Sequence, residues 1–213
     1  MTLERVVAGL AEKVERRFYG KYRGIVVANE DPVRLGRLKV KVPSVLGDQV
    51  VTGWATPCAP YGGAADRGFL FVPEVDSLVW VEFEEGDLEF PIWVGTFWAD
   101  PGSGSQLPKP QSADGTEEAE VPKLPTRKII RTARGHTIQF EDAEGEESIL
   151  IREGGQGHLV TMNSDGVKIT DATGNSIEMT GDAVTLHAVV PFTIDAPGQP
   201  VSIVCDSIDL KKG

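Results

Sequence analysis

In Val160-Thr161-Met162-Asn163-Ser164-Asp165-Gly166-Val167-Lys168-Ile169-Thr170-Asp171-Ala172-Thr173-Gly174-Asn175-Ser176-Ile177-Glu178-Met179, apolar residues stand two apart and turn-forming residues separate the pairs. A period of two marks a strand with one buried face. The pattern continues outward on both sides. Ile138/Phe140 and Ile149/Ile151 lie upstream, and Val184/Leu186, Phe192/Ile194, Val201/Ile203 and Ile208/Leu210 lie downstream. Gly145, Gly154, Gly157, Gly181, Pro191 and Gly198 punctuate them, and successive pairs begin seven to eleven residues apart.

Each such strand offers two inward side chains, too few for one copy to close a sandwich core. Short strands at this spacing predict thin layers stacked along an axis. A single-chain β-helix takes about 20 residues per coil, so residues 127–213 would give only about four coils. Three identical chains, each forming one side of a triangular prism, solve the problem with fewer residues. This reading pairs the backbone between chains. It fills the axis with Ile138, Phe140, Ile149, Ile151, Val167 and Ile169, continued by Ile177, Met179, Val184, Leu186, Val201 and Ile203. A lone chain would expose these residues and its open strand edges. An ordinary β-sandwich of regular hairpins is the rival architecture.

Upstream the grammar changes. Residues 100–126 carry Pro101, Pro108, Pro110, Pro122 and Pro125 among Gly, Ser and acidic residues, and read as an extended linker. Residues 21–99 hold five or six short strands, including Arg23–Ala28, Arg37–Pro43, Gly68–Pro73, Ser77–Phe83 and Pro91–Phe97, with all four tryptophans. A small five-stranded OB-fold barrel is expected. Within residues 1–20, Leu3, Val6, Val7, Leu10, Val14 and Phe18 make a helical stripe over 3–18, ended by Gly20. The fold class is thus all-β: an N-terminal helix, an OB-fold barrel, and a C-terminal intertwined trimeric β-helix or β-prism needle.

The composition sets limits. At 213 residues with 40% apolar and 25% charged side chains, the chain suits one large or two modest domains, and it has no stretch apolar enough to span a bilayer. The early acid Glu4 and the lack of an apolar leader predict no secretory signal. Cys58 and Cys205 are expected as two buried thiols. The net charge of −11 is uneven: residues 1–44 are basic by five, residues 45–126 acidic by eleven, and residues 127–213 acidic by five. Nucleic-acid binders need a basic surface, which an acidic barrel region does not supply. An acidic body beside a basic end instead suits docking within an assembly.

No catalytic constellation emerges. Glu82, Glu84, Glu85, Asp87 and Glu89 straddle a tight turn, where solvated acids are the plain reading beside a glycosidase-like pair. His136, His158 and His187 lie in separate β segments, and neither a His-Glu-x-x-His nor a Cys-x-x-Cys motif occurs. No enzyme activity, cofactor or metal is expected. A binding role for the barrel, toward a glycan or single-stranded nucleic acid, stays open beside a structural one.

The order of these parts resembles the phage baseplate assembly protein V and VgrG-like spike family of contractile injection systems. The resemblance rests on Tyr22-Arg23-Gly24-Ile25-Val26, Leu35-Gly36-Arg37-Leu38-Lys39-Val40-Lys41-Val42-Pro43, Trp54-Ala55, Ala59-Pro60, Gly68 to Pro73, Gly86-Asp87, Pro91 and Gly95. It rests most of all on the junction Lys128-Ile129-Ile130-Arg131-Thr132-Ala133-Arg134-Gly135-His136-Thr137-Ile138-Gln139-Phe140. It implies a homotrimeric central spike that links a baseplate hub to a tip and pierces the target envelope when a sheath contracts. The implied partners are sister copies, a separate hub protein, and a PAAR-like tip protein on the end around Asp206, Ile208 and Leu210, with wedge and tube proteins indirectly. The target membrane would be met only on firing. The chain would be made in the cytoplasm and assembled into a phage tail, a tailocin or an extracellular injection particle. It carries no lysozyme-like insertion between barrel and needle. Some short spikes of the family bear an iron-binding His-x-His near the tip. Here His187 in Leu186-His187-Ala188 is unpaired and reads as a surface histidine.

Overall fold

The computed structural model describes residues 4–7, 17–100, 102, 104–119 and 125–211. It divides into two compact units, Met1–Gln106 and Leu107–Gly213, each with its own β-sheet. Among the described residues, no helix is long and apolar enough to cross a membrane.

The first sheet runs in the order β2-β1-β4-β5-β3. Its strands are β1 (Tyr22–Ala28), β2 (Lys39–Lys41), β3 (Thr56–Pro57), β4 (Leu78–Phe83) and β5 (Pro91–Thr96). Isolated bridges Leu38–Ala55 and Lys41–Val51 tie the β2 edge to the run leading into β3, which gives an OB-like barrel wall. Alternation decides what faces inward. Val26, Val40, Val79, Val81, Phe83 and Trp93 fill the interior with Leu38, Val42 and Ala55, while Lys39, Lys41, Trp80 and Glu82 alternate with them on the strands. Gly68–Pro73, expected as a strand, forms none. Its Phe69, Leu70 and Phe71 stay exposed, and Phe69 N–H donates to Tyr61 O across a short loop.

Residues 4–7 of the expected N-terminal helix are helical, residues 8–16 lie outside the described set, and 17–19 are not helical. Phe18 N–H donates to Gly86 O at 2.9 Å, and its ring meets Tyr22 and Phe83 edge-on. Gly86, at φ 75°, leaves room for this approach, because a Cβ there would lie 2.9 Å from Phe18 N.

Asp31 pins the β1–β2 connection. Its carboxylate accepts from the N–H groups of Val33, Leu35 and Arg37, and from Arg37 Nε (3.0 Å) and Nη2 (2.7 Å). Arg37 above all, aided by those amides, holds the carboxyl well below the usual carboxylate range. A depressed carboxyl stabilises the fold fully above its unfolded pKa, and the contribution fades as pH falls toward the folded value. Asp31→Asn should therefore lower the thermal midpoint of the barrel at neutral pH. The gap to wild type should narrow once pH drops below about 4; a gap independent of pH would contradict this.

The second sheet is a simple meander, β12-β11-β10-β9-β8-β7-β6, antiparallel throughout. Its strands are β6 (Arg127–Arg131), β7 (Thr137–Glu141), β8 (Ser148–Arg152), β9 (Leu159–Asn163), β10 (Gly166–Thr170), β11 (Ser176–Met179) and β12 (Val184–His187). The sequence reading pairs these strands between chains; the structure pairs them within the chain. Turns of only two to six residues bring each strand back beside the last before another copy is needed. From residue 188 to 211 there is no strand, although Phe192/Ile194, Val201/Ile203 and Ile208/Leu210 keep period two and stay exposed.

The later part of the stretch expected as a linker folds onto this sheet. Residues 110–118 make a small hairpin closed by the Gln111–Glu117 bridge. Gln111 N–H donates to Gln139 Oε1 (2.9 Å), and Gln139 Nε2 donates back to Gln111 O (2.7 Å). Pro110 and Gln111 are buried. Arg131 Nη2 meets Glu117 at 2.5 Å, Arg127 Nη1 meets Glu118 at 2.6 Å, and Arg127 also pairs with Glu141. Burial opposes ionisation of Glu141, yet the bonds from Arg127, Thr126 and Ala143 N–H hold its carboxyl below the usual range. Both cysteines, expected buried, are exposed: Cys58 just past β3, and Cys205 in the strandless tail.

Candidate trimerisation face

The registers of six successive strand pairs align two unbroken rows on one face of β6–β12. The first runs Ile130, Ile138, Ile151, Val160, Ile169, Ile177, Leu186. The second runs Lys128, Phe140, Ile149, Met162, Val167, Met179, Val184, and is apolar after its first member. Lys128 pairs with Asp142 and marks one end of the apolar band.

The opposite face has a different character. Its central row runs Ile129, Gln139, Leu150, Thr161, Lys168, Glu178, Thr185. The 110–118 hairpin covers the first part, where Gln139 is buried and Leu150 is only 4% exposed. Beyond it the row is polar, with Lys168 and Glu178 paired at 3.7 Å. The side chains a soluble sheet would turn to water are thus on the strapped face. The apolar rows are left open: Ile151 is 42% exposed, Leu186 52% and Val184 75%. A contiguous apolar band of this kind marks an association surface.

Of the residues expected on the needle axis, Ile138, Phe140, Ile149, Ile151, Val167, Ile169, Ile177, Met179, Val184 and Leu186 all fall in these two rows. Val201 and Ile203 do not; they lie exposed in the strandless tail with Asp206, Ile208 and Leu210. The rows also contain Val160, Met162 and Ile130. Ile130 was hard to read because Ile129 stands beside it, and only its register with Ile138 shows which of the two faces the band.

In the barrel unit the acids of the β4–β5 turn have local partners. Glu82 pairs with Lys21, and Asp87 pairs with Arg17 while its Oδ1 accepts Glu89 N–H. Aromatic rings on the wall lie under the chain's own cations: Arg37 and Lys39 sit 5.7 and 5.2 Å from the Trp54 centroid, and Arg23 sits 5.9 and 5.4 Å from Trp80 and Phe97. Among the described residues no group of three His, Cys, Asp or Glu side chains is arranged to hold a metal.

Two families match the chain in this order. Residues 22–98 match the Type VI secretion system/phage-baseplate injector OB domain. Residues 128–188 match the phage baseplate V C-terminal trimerisation domain, which covers β6–β12 and both apolar rows. No curated protein sequence matches the chain. With an injector OB domain followed by a trimerisation domain, together taking in more than half of its residues, the chain belongs to the phage baseplate V family of spike-like proteins.

Proposed function

We propose that the protein is the homotrimeric central spike of a contractile injection system baseplate, linking hub to tip and piercing the target envelope mechanically, without turnover. The observation that carries this reading is the pair of apolar rows left open on one sheet face while the other is strapped or polar. Three such faces turned inward make a dry prism, and a rod stiffened by seven-stranded walls transmits force along its length. Residues 188–211, which no strand pairs within the chain, supply the intertwined continuation toward the tip, with Asp206, Ile208 and Leu210 as the seat of a PAAR-like cap. Assembly into a phage tail or injection particle follows from the same reading.

Mass measurement tests it. The purified protein should appear at three times 23.0 kDa and stay there on dilution through the micromolar range. A folded, stable single copy at that concentration would overturn the proposal. The rival reading, an OB wall holding glycan or single-stranded nucleic acid, needs open aromatic platforms. Here Trp54, Trp80 and Phe97 are engaged by Arg37, Lys39 and Arg23, which favours the structural role.

A further inference from the structure

Along one edge of the second sheet, three turns repeat a device. Gly135-His136, Gly157-His158 and Gly174-Asn175 each stand immediately before a strand: β7, β9 and β11. The three glycines take positive φ, at 83°, 87° and 99°. Each following residue presents an acceptor at the δ position to the backbone of the next turn along the edge. His136 Nδ1 accepts Gly154 N–H at 3.2 Å, His158 Nδ1 accepts Ala172 N–H at 3.2 Å, and Asn175 Oδ1 accepts Val189 N–H at 2.8 Å. Every donor lies two residues past the end of a strand (β8, β10 and β12), where the ladder has stopped and the amide has no cross-strand carbonyl. The rungs therefore clasp successive turns to one another, and the last holds the start of the strandless tail.

We propose that His136 and His158 are acid-released clasps, while Asn175 performs the same task without responding to pH. Imidazole that accepts at Nδ1 carries its proton on Nε2, whereas imidazolium bears N–H on both nitrogens. Protonation thus sets one N–H against another, and the rung opens. Imidazole is the side chain that ordinarily changes charge between pH 5 and 8; an amide oxygen does not titrate there. The charged groups of the clasped turns are Arg134, Arg152, Glu153 and Asp171. Glu153 Oε1 lies 3.8 Å from His136 Nδ1, so the imidazolium has a carboxylate to turn to and exchanges partners instead of merely losing one. Glu153 meanwhile accepts from Gly155, Gln156 and Gly157 N–H, so that exchange loads the turn that holds His158. Asp171, whose carboxylate accepts from Thr173 and Asn175, makes no ion pair with His158, so the second clasp has no such exchange.

Hydrogen exchange on the full-length protein, resolved to single amides and corrected for intrinsic rates, tests this at about pH 7.5 and about pH 5.5. Gly154 and Ala172 should lose roughly fivefold in protection at the lower pH, the worth of one net hydrogen bond. Val189, on the asparagine rung, should be unchanged. The double variant His136→Asn/His158→Asn should keep its protection at both pH values, and Asn175→His should make Val189 acid-sensitive. Equal protection of Gly154 and Ala172 at the two pH values in the wild type would overturn the proposal, as would a loss that persists in the double asparagine variant. The wild-type measurement decides even if a variant fails to fold.

Discussion

Ile169→Asp should abolish the trimer at micromolar concentration, while Thr161→Asp on the opposite face should leave it intact. Ile169 sits mid-row between Val160 and Ile177 on the open face, whereas Thr161 stands between Leu150 and Lys168 on the other. A carboxylate buried without a partner costs about 3 kcal/mol or more, and a closed trimer would enclose three of them. That is on the order of a hundredfold per copy in association, applied three times over. At Thr161 the new charge meets water and the Lys168 ammonium. Sedimentation or native mass measurement reads the outcome directly. If Ile169→Asp stays trimeric, the apolar rows are not the contact. If both variants dissociate, the two faces do not differ as described.

Gly166→Ala should have an effect of comparable size through a different cause. Gly166 opens β10 at φ 141°, a backbone region that disfavours every side chain, and an added Cβ would overlap Met179 O and lie 3.2 Å from Thr180 Cα. The obstruction is backbone, so no rotamer relieves it, and the β10–β11 pairing from Val167 to Thr170 must shift to admit it. Strain and lost pairing together come to about 3 kcal/mol or more. Because both apolar rows pass through β10 and β11, the misalignment breaks them as well. Gly181→Ala, in the β11–β12 turn, is the matched control. Nothing lies within 4 Å of its added Cβ, and the change should stay within about 0.5 kcal/mol. Thermal midpoints of the two variants that agree would refute the steric account.

Much of the face was legible because strand alternation is strict. Once Ile138/Phe140 or Ile177/Met179 is seen, the side to which the pair points is determined. Alternation does not say which backbone a strand will bond, so pairing between chains and pairing within the chain looked alike in the sequence. The short turns at Asn163–Gly166 and Thr180–Ala183 were the available clue. The 110–118 hairpin was hidden for another reason. Its Pro, Ser, Asp and Glu residues are those of a linker, and what holds it is a reciprocal bond with Gln139, 28 residues away. The histidine rungs were within reach: Gly135-His136 in the junction is echoed by Gly157-His158 and Gly174-Asn175, each just before a strand that starts from the same edge. The loop at Phe69–Phe71 misled because its aromatics have the composition of a strand while its backbone bonds across a local turn to Tyr61.

Because the meander closes on itself between neighbours in sequence, each copy can zip its wall before it collides with a sister. Contacts so local form quickly and ask little loop closure of the chain. Maturation would then proceed in two kinetic regimes, a rapid step indifferent to concentration followed by a slower encounter whose rate rises with it. On the proposed spike reading, residues 188–211, which form no strand within the chain, would be the last to order.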